Sequence, residues 1–128
     1  MRLNQVTVPS SNVARSIGFY ETLGLKLIVE ALPHYARFTC PEGDSTFSID
    51  LDPAATGVGP VIYFECDDLD ERCAVLASQQ VEFEDPPADQ RWLWREARLR
   101  DPDGNRICLY YAGENRLNPP WRLGTTDV

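Results

Sequence analysis

EARLRDPDGNRICLYY, residues Glu96–Tyr111, is the stretch that decides the fold of this chain. Its centre, DPDGN at Asp101–Asn105, is typical of a tight turn. Proline fixes φ, aspartate and asparagine bond to nearby backbone, and glycine adopts positive φ freely. Apolar and polar residues alternate on both sides of the turn, as in strands with one buried face. We therefore predict a β-hairpin with strands at Arg91–Arg100 and Arg106–Tyr111.

A weaker copy of this hairpin lies in the first half of the chain. There, PEGD at Pro41–Asp44 separates predicted strands at Tyr35–Cys40 and Ser45–Asp52. Each half also carries a strand, a helix and another strand ahead of its hairpin. The order βαβββ therefore occurs twice, starting near Leu3 and again near Val61, and indicates a duplicated module.

The first helix is predicted between an N-cap at Ser11 or Asn12 and a terminating Gly24. Apolar residues recur between these ends at the spacing of one helical face. Strands are predicted on either side of it, at Leu3–Val8 and Leu25–Ala31.

In the second half, Asp67 or Asp68 is predicted to cap the helix that follows a strand at Val61–Cys66. A further strand is predicted at Val81–Glu84, and Pro86-Pro87 is predicted to break the chain after it.

Composition places the module boundary in a linker rich in proline, glycine and alanine at residues 53–60. Module one then covers residues 1–52 and module two residues 61–112, together forming a single α+β domain. The tail, residues 113–128, carries Pro119-Pro120-Trp121 and is predicted to be an extended strap that Trp121 anchors on the surface or on a partner subunit.

The charge and cysteine content exclude several classes of function. A net charge of −8 disfavours nucleic acid and anionic membranes as partners, because phosphate binding needs clustered cations. No apolar run is long enough to span a bilayer, and the first residues lack the apolar core of a signal peptide, so we expect a cytoplasmic protein. The four cysteines show no CxxC spacing, which favours reduced thiols over a zinc site or disulfides.

The order of elements and three motifs resemble the vicinal oxygen chelate superfamily, which includes glyoxalase I, bleomycin resistance proteins and extradiol dioxygenases. The motifs are FYETLGLKLI at Phe19–Ile28, FECDDLDE at Phe64–Glu71 and RDPDGNRICL at Arg100–Leu109. The resemblance implies that the two βαβββ modules form a cup-shaped mixed sheet with helices outside, completed within or across a homodimer.

Strand alternation then assigns side chains to the inner face of the sheet. The residues expected there to bind a small molecule are Gln5, Asp50, Tyr63, Trp92, Trp94, Glu96, Arg98, Cys108 and Tyr110. Two alternatives stay open at this point. Trp92 and Trp94 either stack on a planar ligand or simply pack in the core, and Glu96 and Arg98 either clamp a ligand or pair with each other.

The resemblance also implies four metal-ligand positions, which fall here on Gln5, Asp50, Val61 and Cys108. Val61 has no donor atom, and Cys108 offers a soft thiolate where a hard carboxylate is usual. We therefore expect no cofactor. A divalent metal held by Gln5 and Asp50 is the alternative.

These observations favour metal-independent binding of a small organic molecule, with cationic or neutral aromatic ligands suited to the acidic chain. An anionic group on the ligand is an open alternative because of Arg98 and Arg106. The alternative is a metal-dependent glyoxalase-like lyase or isomerase, or a dioxygenase, using Gln5, Asp50 and the only histidine, His34. A third hypothesis is an accessory module whose cup is filled by its own side chains. We also expect a homodimer, because each module alone leaves a sheet face uncovered.

Overall fold

The computed structural model describes residues 2–124, and the twice-repeated βαβββ order of an α+β fold is confirmed. The elements are β1 Gln5–Ser10, α1 Val13–Leu23, β2 Lys26–Ala31, β3 Tyr35–Thr39, β4 Thr46–Leu51, β5 Val61–Glu65, α2 Leu69–Ser78, β6 Phe83–Asp89, β7 Arg95–Arg100 and β8 Arg106–Tyr111. Within residues 2–124, none of the helices has the length and apolar character needed to cross a membrane.

The chain forms two compact units. The first contains residues up to Pro60 together with Arg100–Arg106, and the second contains Val61–Leu99 and the residues from Ile107 onward. Each unit holds one four-stranded sheet, in the order β1-β4-β3-β2 in the first and β5-β8-β7-β6 in the second.

In the first sheet, β1 runs parallel to β4, with Gln5 opposite Thr46, Thr7 opposite Ser48 and Pro9 opposite Asp50. Strand β3 is antiparallel to both β4 and β2, so this sheet is mixed.

Helix α1 begins and ends where the sequence predicts. The Asn12 side chain accepts a hydrogen bond from the backbone N–H of Arg15 at 3.1 Å, which satisfies a free donor of the first turn. Gly24 ends the helix in the left-handed conformation, at φ 108°. Tyr20 is fully buried on the inner face, with its ring 4.6 Å from that of Phe47 and 5.9 Å from that of Phe38. These contacts fix the helix on the first sheet.

The DPDGN turn belongs to the first unit and is held there by the Asp101 carboxylate. The Asp101 carboxylate accepts bonds from the Tyr20 hydroxyl at 2.6 Å, from the backbone of Asp103 and Asn105 at 2.9 and 2.8 Å, and from the Asn105 amide at 2.8 Å. Burial and the Asp101 charge raise the pKa of Tyr20 far above its ordinary value.

Glycine is required in the predicted linker, where the backbone passes close to the turn. A Cβ on Gly57 would lie 2.5 Å from the backbone oxygen of Gly104, and Gly57 has φ 76°. Residues 53–60 are therefore shaped by packing as well as by connectivity.

Three sequence predictions about the second unit are wrong, wholly or in part. Asp68 is the N-cap residue of α2, as predicted, but its side chain makes no capping bond and instead lies 3.8 Å from the Arg72 guanidinium. Pro86-Pro87 does not break the chain, because both prolines lie within β6. Proline is tolerated there since β6 is an edge strand and its register shifts between Asp85 and Ala88.

The third error concerns β7, which begins at Arg95 and not at Arg91. Leu93 has φ 69°, and backbone bonds between Gln90 and Trp94 (2.7 Å) and between Leu93 and Gln90 (3.0 Å) close a turn. The alternation of Trp92, Leu93 and Trp94 is therefore not that of a strand. Leu93 is 48% exposed and does not pack in the core.

The tail is also not an extended strap where it is described. It opens with a 3-10 turn at Gly113–Asn115, and Asn118 donates its backbone N–H to Glu114 at 2.8 Å. The Trp121 side chain is exposed. Residues 125–128, which the strap prediction includes, lie outside the described residues.

Candidate functional site

An aromatic cluster lies on one face of the second sheet. Tyr63 on β5 and Tyr110 on β8 meet edge to face, with ring centroids 5.5 Å apart. Trp94, just before β7, stacks on Tyr110 at 4.8 Å and meets Tyr63 edge to face at 6.1 Å. Three residues that the sequence assigns to the inner face are thus in mutual contact.

A charged pair borders this cluster. Glu96 is buried, and its two carboxylate oxygens accept bonds from Trp92 Nε1 at 2.9 Å and from Arg98 Nη2 at 3.1 Å. The Arg98 guanidinium also lies 6.0 Å from the centre of the Tyr63 ring, with Nη2 3.4 Å from the Tyr63 hydroxyl. Burial opposes the charge of Arg98, but its bonds to Tyr63 and Glu96 hold its pKa above the ordinary value. Glu96 and Arg98 therefore form an internal ion pair that also orients Trp92.

Cys108 lies in the same unit and is completely buried. Burial, followed by the negative charge of Glu96, raises the pKa of its thiol to about 12. The thiol is neutral near pH 7, so it is suited to packing and not to nucleophilic attack.

Some of the residues predicted to line the ligand site pack against one another and are not open to a ligand. Val61 and Trp94 pack against a buried core of Cys108, Tyr110 and Ala112. The surface open to a ligand comes instead from Tyr63, which is 44% exposed, Trp92, which is 38% exposed, and the partly exposed Arg98 side chain. We call Tyr63, Trp92, Trp94, Glu96, Arg98 and Tyr110 the second-sheet site.

The other predicted site residues lie in the first unit. Gln5 donates from Nε2 to Ser48 Oγ at 2.6 Å, whereas Asp50 is exposed at the far end of β4. Asp50 pairs with Pro9, four residues along β1 from Gln5, which is about 13 Å at the rise of a strand. His34 is exposed in the connection between β2 and β3, where its backbone donates to Ala31 at 2.9 Å and accepts from Leu51 at 2.8 Å.

The residues do not fit the metal site that the resemblance implies. The separation of Gln5 and Asp50 prevents them from holding one ion together, Val61 has no donor, and Cys108 offers only a soft, completely buried sulfur. Among residues 2–124, no group of three or more histidine, cysteine, aspartate and glutamate side chains is arranged to hold a metal.

Two contacts of the tail were not identified from the sequence. Glu65 accepts the backbone N–H groups of Ala112 and Gly113 at 2.9 and 3.0 Å, and the Asn115 carbonyl accepts a bond from Trp94 Nε1 at 3.3 Å. These contacts tie the first turn of the tail to the aromatic cluster. Strand periodicity carries no signal for them, because they depend on the 3-10 turn after β8.

Comparison with known proteins identifies the family of the chain. The model of the Glyoxalase/Bleomycin resistance protein/Dioxygenase superfamily matches residues 2–109. No curated protein matches the chain in sequence.

Several solved structures share the fold at low sequence identity. A glyoxalase/bleomycin resistance protein/dioxygenase from Nocardioides is 21% identical, with a TM-score of 0.76 over 97% of this chain and 90% of its own. A bleomycin-binding protein complexed with bleomycin is 21% identical, with a TM-score of 0.69 over 87% of this chain and 98% of its own. A lactoylglutathione lyase from Agrobacterium tumefaciens is 14% identical, with a TM-score of 0.72 over 86% of this chain and 92% of its own. With the family model matching nearly the whole chain, this protein belongs to the Glyoxalase/Bleomycin resistance protein/Dioxygenase superfamily.

Proposed function

We propose that this protein binds a small planar organic molecule at the second-sheet site, without a metal. The observation that carries the proposal is the partial exposure of Tyr63 and Trp92 beside the buried Glu96–Arg98 pair. Aromatic faces next to a few fixed polar groups are the usual make-up of a small-molecule site. Tyr110 and Trp94 act beneath them as the packed floor that holds Tyr63 in place.

Electrostatics favour a cationic or neutral ligand. Glu96 and Arg98 neutralise each other locally, so the field at the site is dominated by the net charge of −8. A planar cation would also gain from the electron-rich face of the exposed Trp92 ring.

Calorimetric titration tests this proposal with bleomycin, which one structural relative holds, and with a cationic acridinium and a neutral flavin as further probes. Loss of one aromatic contact is worth roughly 0.5–1.5 kcal/mol, so Tyr63→Leu should weaken binding about two- to tenfold.

Tyr111→Leu is the matched control. Tyr111 is 45% exposed, nearly the same as Tyr63, but it follows Tyr110 on β8 and so projects from the opposite face. Equal losses in Tyr63→Leu and Tyr111→Leu, or no binding of any planar probe, would reject the second-sheet site.

Metal independence has its own test. Because Gln5 and Asp50 are separated along the sheet, Ni²⁺, Zn²⁺ and Mn²⁺ should leave the melting temperature unchanged. A rise in melting temperature that Gln5→Ala or Asp50→Ala abolishes would instead support the metal-dependent lyase or dioxygenase.

We also propose that the chain forms a homodimer through its tail. Leu117, Trp121 and Leu123 are all exposed in the described part of the tail, and apolar groups exposed together favour association. Sedimentation at micromolar concentrations should show a dimer that Trp121→Ser weakens. A monomer throughout that range would contradict this.

A further inference from the structure

A second polar array, on the first sheet, is formed by Gln5, Tyr35, Arg37 and Ser48 and is rich in hydrogen-bond donors. Arg37 Nε donates to the Tyr35 hydroxyl at 2.8 Å, and that hydroxyl lies 2.7 Å from Ser48 Oγ. Gln5 Nε2 donates to the same Ser48 oxygen at 2.6 Å. The register of β3 and β4 fixes these neighbours, because Arg37 lies directly opposite Ser48.

Counting protons shows that one hydroxyl donor in this array is spare. Tyr35 and Ser48 each carry one O–H, and both oxygens already accept a bond from Arg37 or Gln5. The single bond between the two hydroxyls uses only one of their two protons. Among the contacts of the described residues, no acceptor takes the other proton. Ser48 is completely buried and Tyr35 only partly, so the spare proton is better placed on Tyr35.

The Arg37 guanidinium adds further donors and a positive charge, and it lies 5.4 Å from the centre of the Tyr35 ring. Its only hydrogen bond within residues 2–124 uses Nε, and no carboxylate there pairs with it. By contrast, Arg98 pairs with Glu96. No buried side-chain nitrogen in the described residues lacks a partner, so the terminal nitrogens of Arg37 reach solvent. The planar fork is free to meet an oxyanion with two parallel N–H groups.

One carboxylate lies on the same face. Asp50 is directly opposite Tyr35, which makes it a diagonal neighbour of Arg37 at a separation of about 7–8 Å, with the Cβ atoms somewhat closer. It is exposed, and none of the described hydrogen bonds or ion pairs joins it to Arg37. An anion bound by Arg37 would therefore be repelled by Asp50. Replacing Asp50 with a neutral residue should then strengthen anion binding.

We propose that this array binds an oxyanion, the carboxylate or phosphate group of a small molecule, between the Arg37 fork and the Tyr35 hydroxyl. This inference concerns the first unit alone and does not rest on the function proposed for the second-sheet site.

NMR of the ¹⁵N-labelled full chain tests it through the Nε–Hε resonance of Arg37. That proton is protected by its bond to Tyr35, and its resonance is assigned by its loss in Arg37→Lys. Titration with sodium benzoate and with sodium phosphate, against sodium chloride at equal ionic strength, should give a saturable shift with an oxyanion and not with chloride. Tighter binding of benzoate would identify a carboxylate ligand, and tighter binding of phosphate a phosphoryl ligand.

Three variants make the test specific. Tyr35→Phe keeps the ring but removes the hydroxyl that protects the Arg37 Nε proton, so this variant is followed at the backbone amide of Ser48. It should weaken binding roughly tenfold, as expected for a bond to a charged group. Arg37→Gln, followed at the backbone amide of Ser48, should abolish the saturable shift. Asp50→Asn should tighten binding, because it removes a nearby like charge. Shifts no larger than those from chloride, an unchanged affinity in Tyr35→Phe, or weaker binding in Asp50→Asn would each overturn the proposal.

Discussion

Removing the Asp101 carboxylate should destabilise the protein more than any exposed aspartate does. Asp101 is buried and accepts four hydrogen bonds, including those from the buried Tyr20 hydroxyl and the buried Asn105 amide. An unsatisfied buried donor costs about 1–3 kcal/mol. Leaving two of these donors without an acceptor in Asp101→Ala should therefore cost about 2–6 kcal/mol of the free energy of unfolding.

The matched control is Asp44→Ala in the corresponding turn of the first module. The Asp44 side chain is 76% exposed and lies 3.7 Å from an exposed Arg2, so its loss should change stability by less than about 0.5 kcal/mol. Urea unfolding followed by circular dichroism gives both values from the transition midpoint and slope. Equal losses in the two variants would refute the claim that the DPDGN turn is held by Asp101.

A double-mutant cycle measures how much of the Asp101→Ala destabilisation comes from the hydrogen bond with Tyr20. Tyr20→Phe removes only the hydroxyl that donates to Asp101, so its cost should largely vanish in the Asp101→Ala background. Strict additivity of the two substitutions would show that the Tyr20–Asp101 bond contributes nothing.

Three further outcomes are expected. Burial opposes the charge of Asp103, but bonds from Ser11 and the Arg15 guanidinium hold its pKa below the ordinary 3.8. Its contribution to stability should therefore be present above pH 3.8 and be lost as pH falls below it, and acid titration of the unfolding midpoint should be shallower in Asp103→Asn. Leu93→Gly should raise the melting temperature, with a gain of up to about 1 kcal/mol, because glycine relieves the positive φ of an exposed leucine; a lower melting temperature would contradict this. At pH 8, Ellman's reagent should leave Cys108 unmodified in the folded protein, since burial raises its pKa to about 12; rapid labelling confirmed by mass spectrometry would contradict this.

Local signals in the sequence predicted the features that local geometry controls. Asn12 and Gly24 bound α1 as expected, because capping depends on a few adjacent residues. Alternation predicted that Tyr63 and Tyr110 share a face of the sheet, because the pleat has a fixed period of two.

The errors arise where the outcome depends on distant parts of the chain. The pairing of β1 with β4 joins strands about 40 residues apart, and neither strand alone reveals that Asp50 lies opposite Pro9 and not opposite Gln5. Leu93 interrupts the alternation because its backbone is left-handed, a conformation that a leucine in the sequence does not predict. The prolines of β6 are tolerated only because that strand lies at an edge.

The most direct test of the proposed function uses the indole Nε1–Hε1 resonances of Trp92, Trp94 and Trp121 in protein stripped of metal with a chelator. A planar ligand bound at the second-sheet site should shift the resonances of Trp92 and Trp94, because the first lies open beside Glu96 and the second packs under Tyr63. The Trp121 resonance should stay unchanged. Binding that needs an added divalent ion, or that shifts only Trp121, would contradict metal-independent recognition at this site.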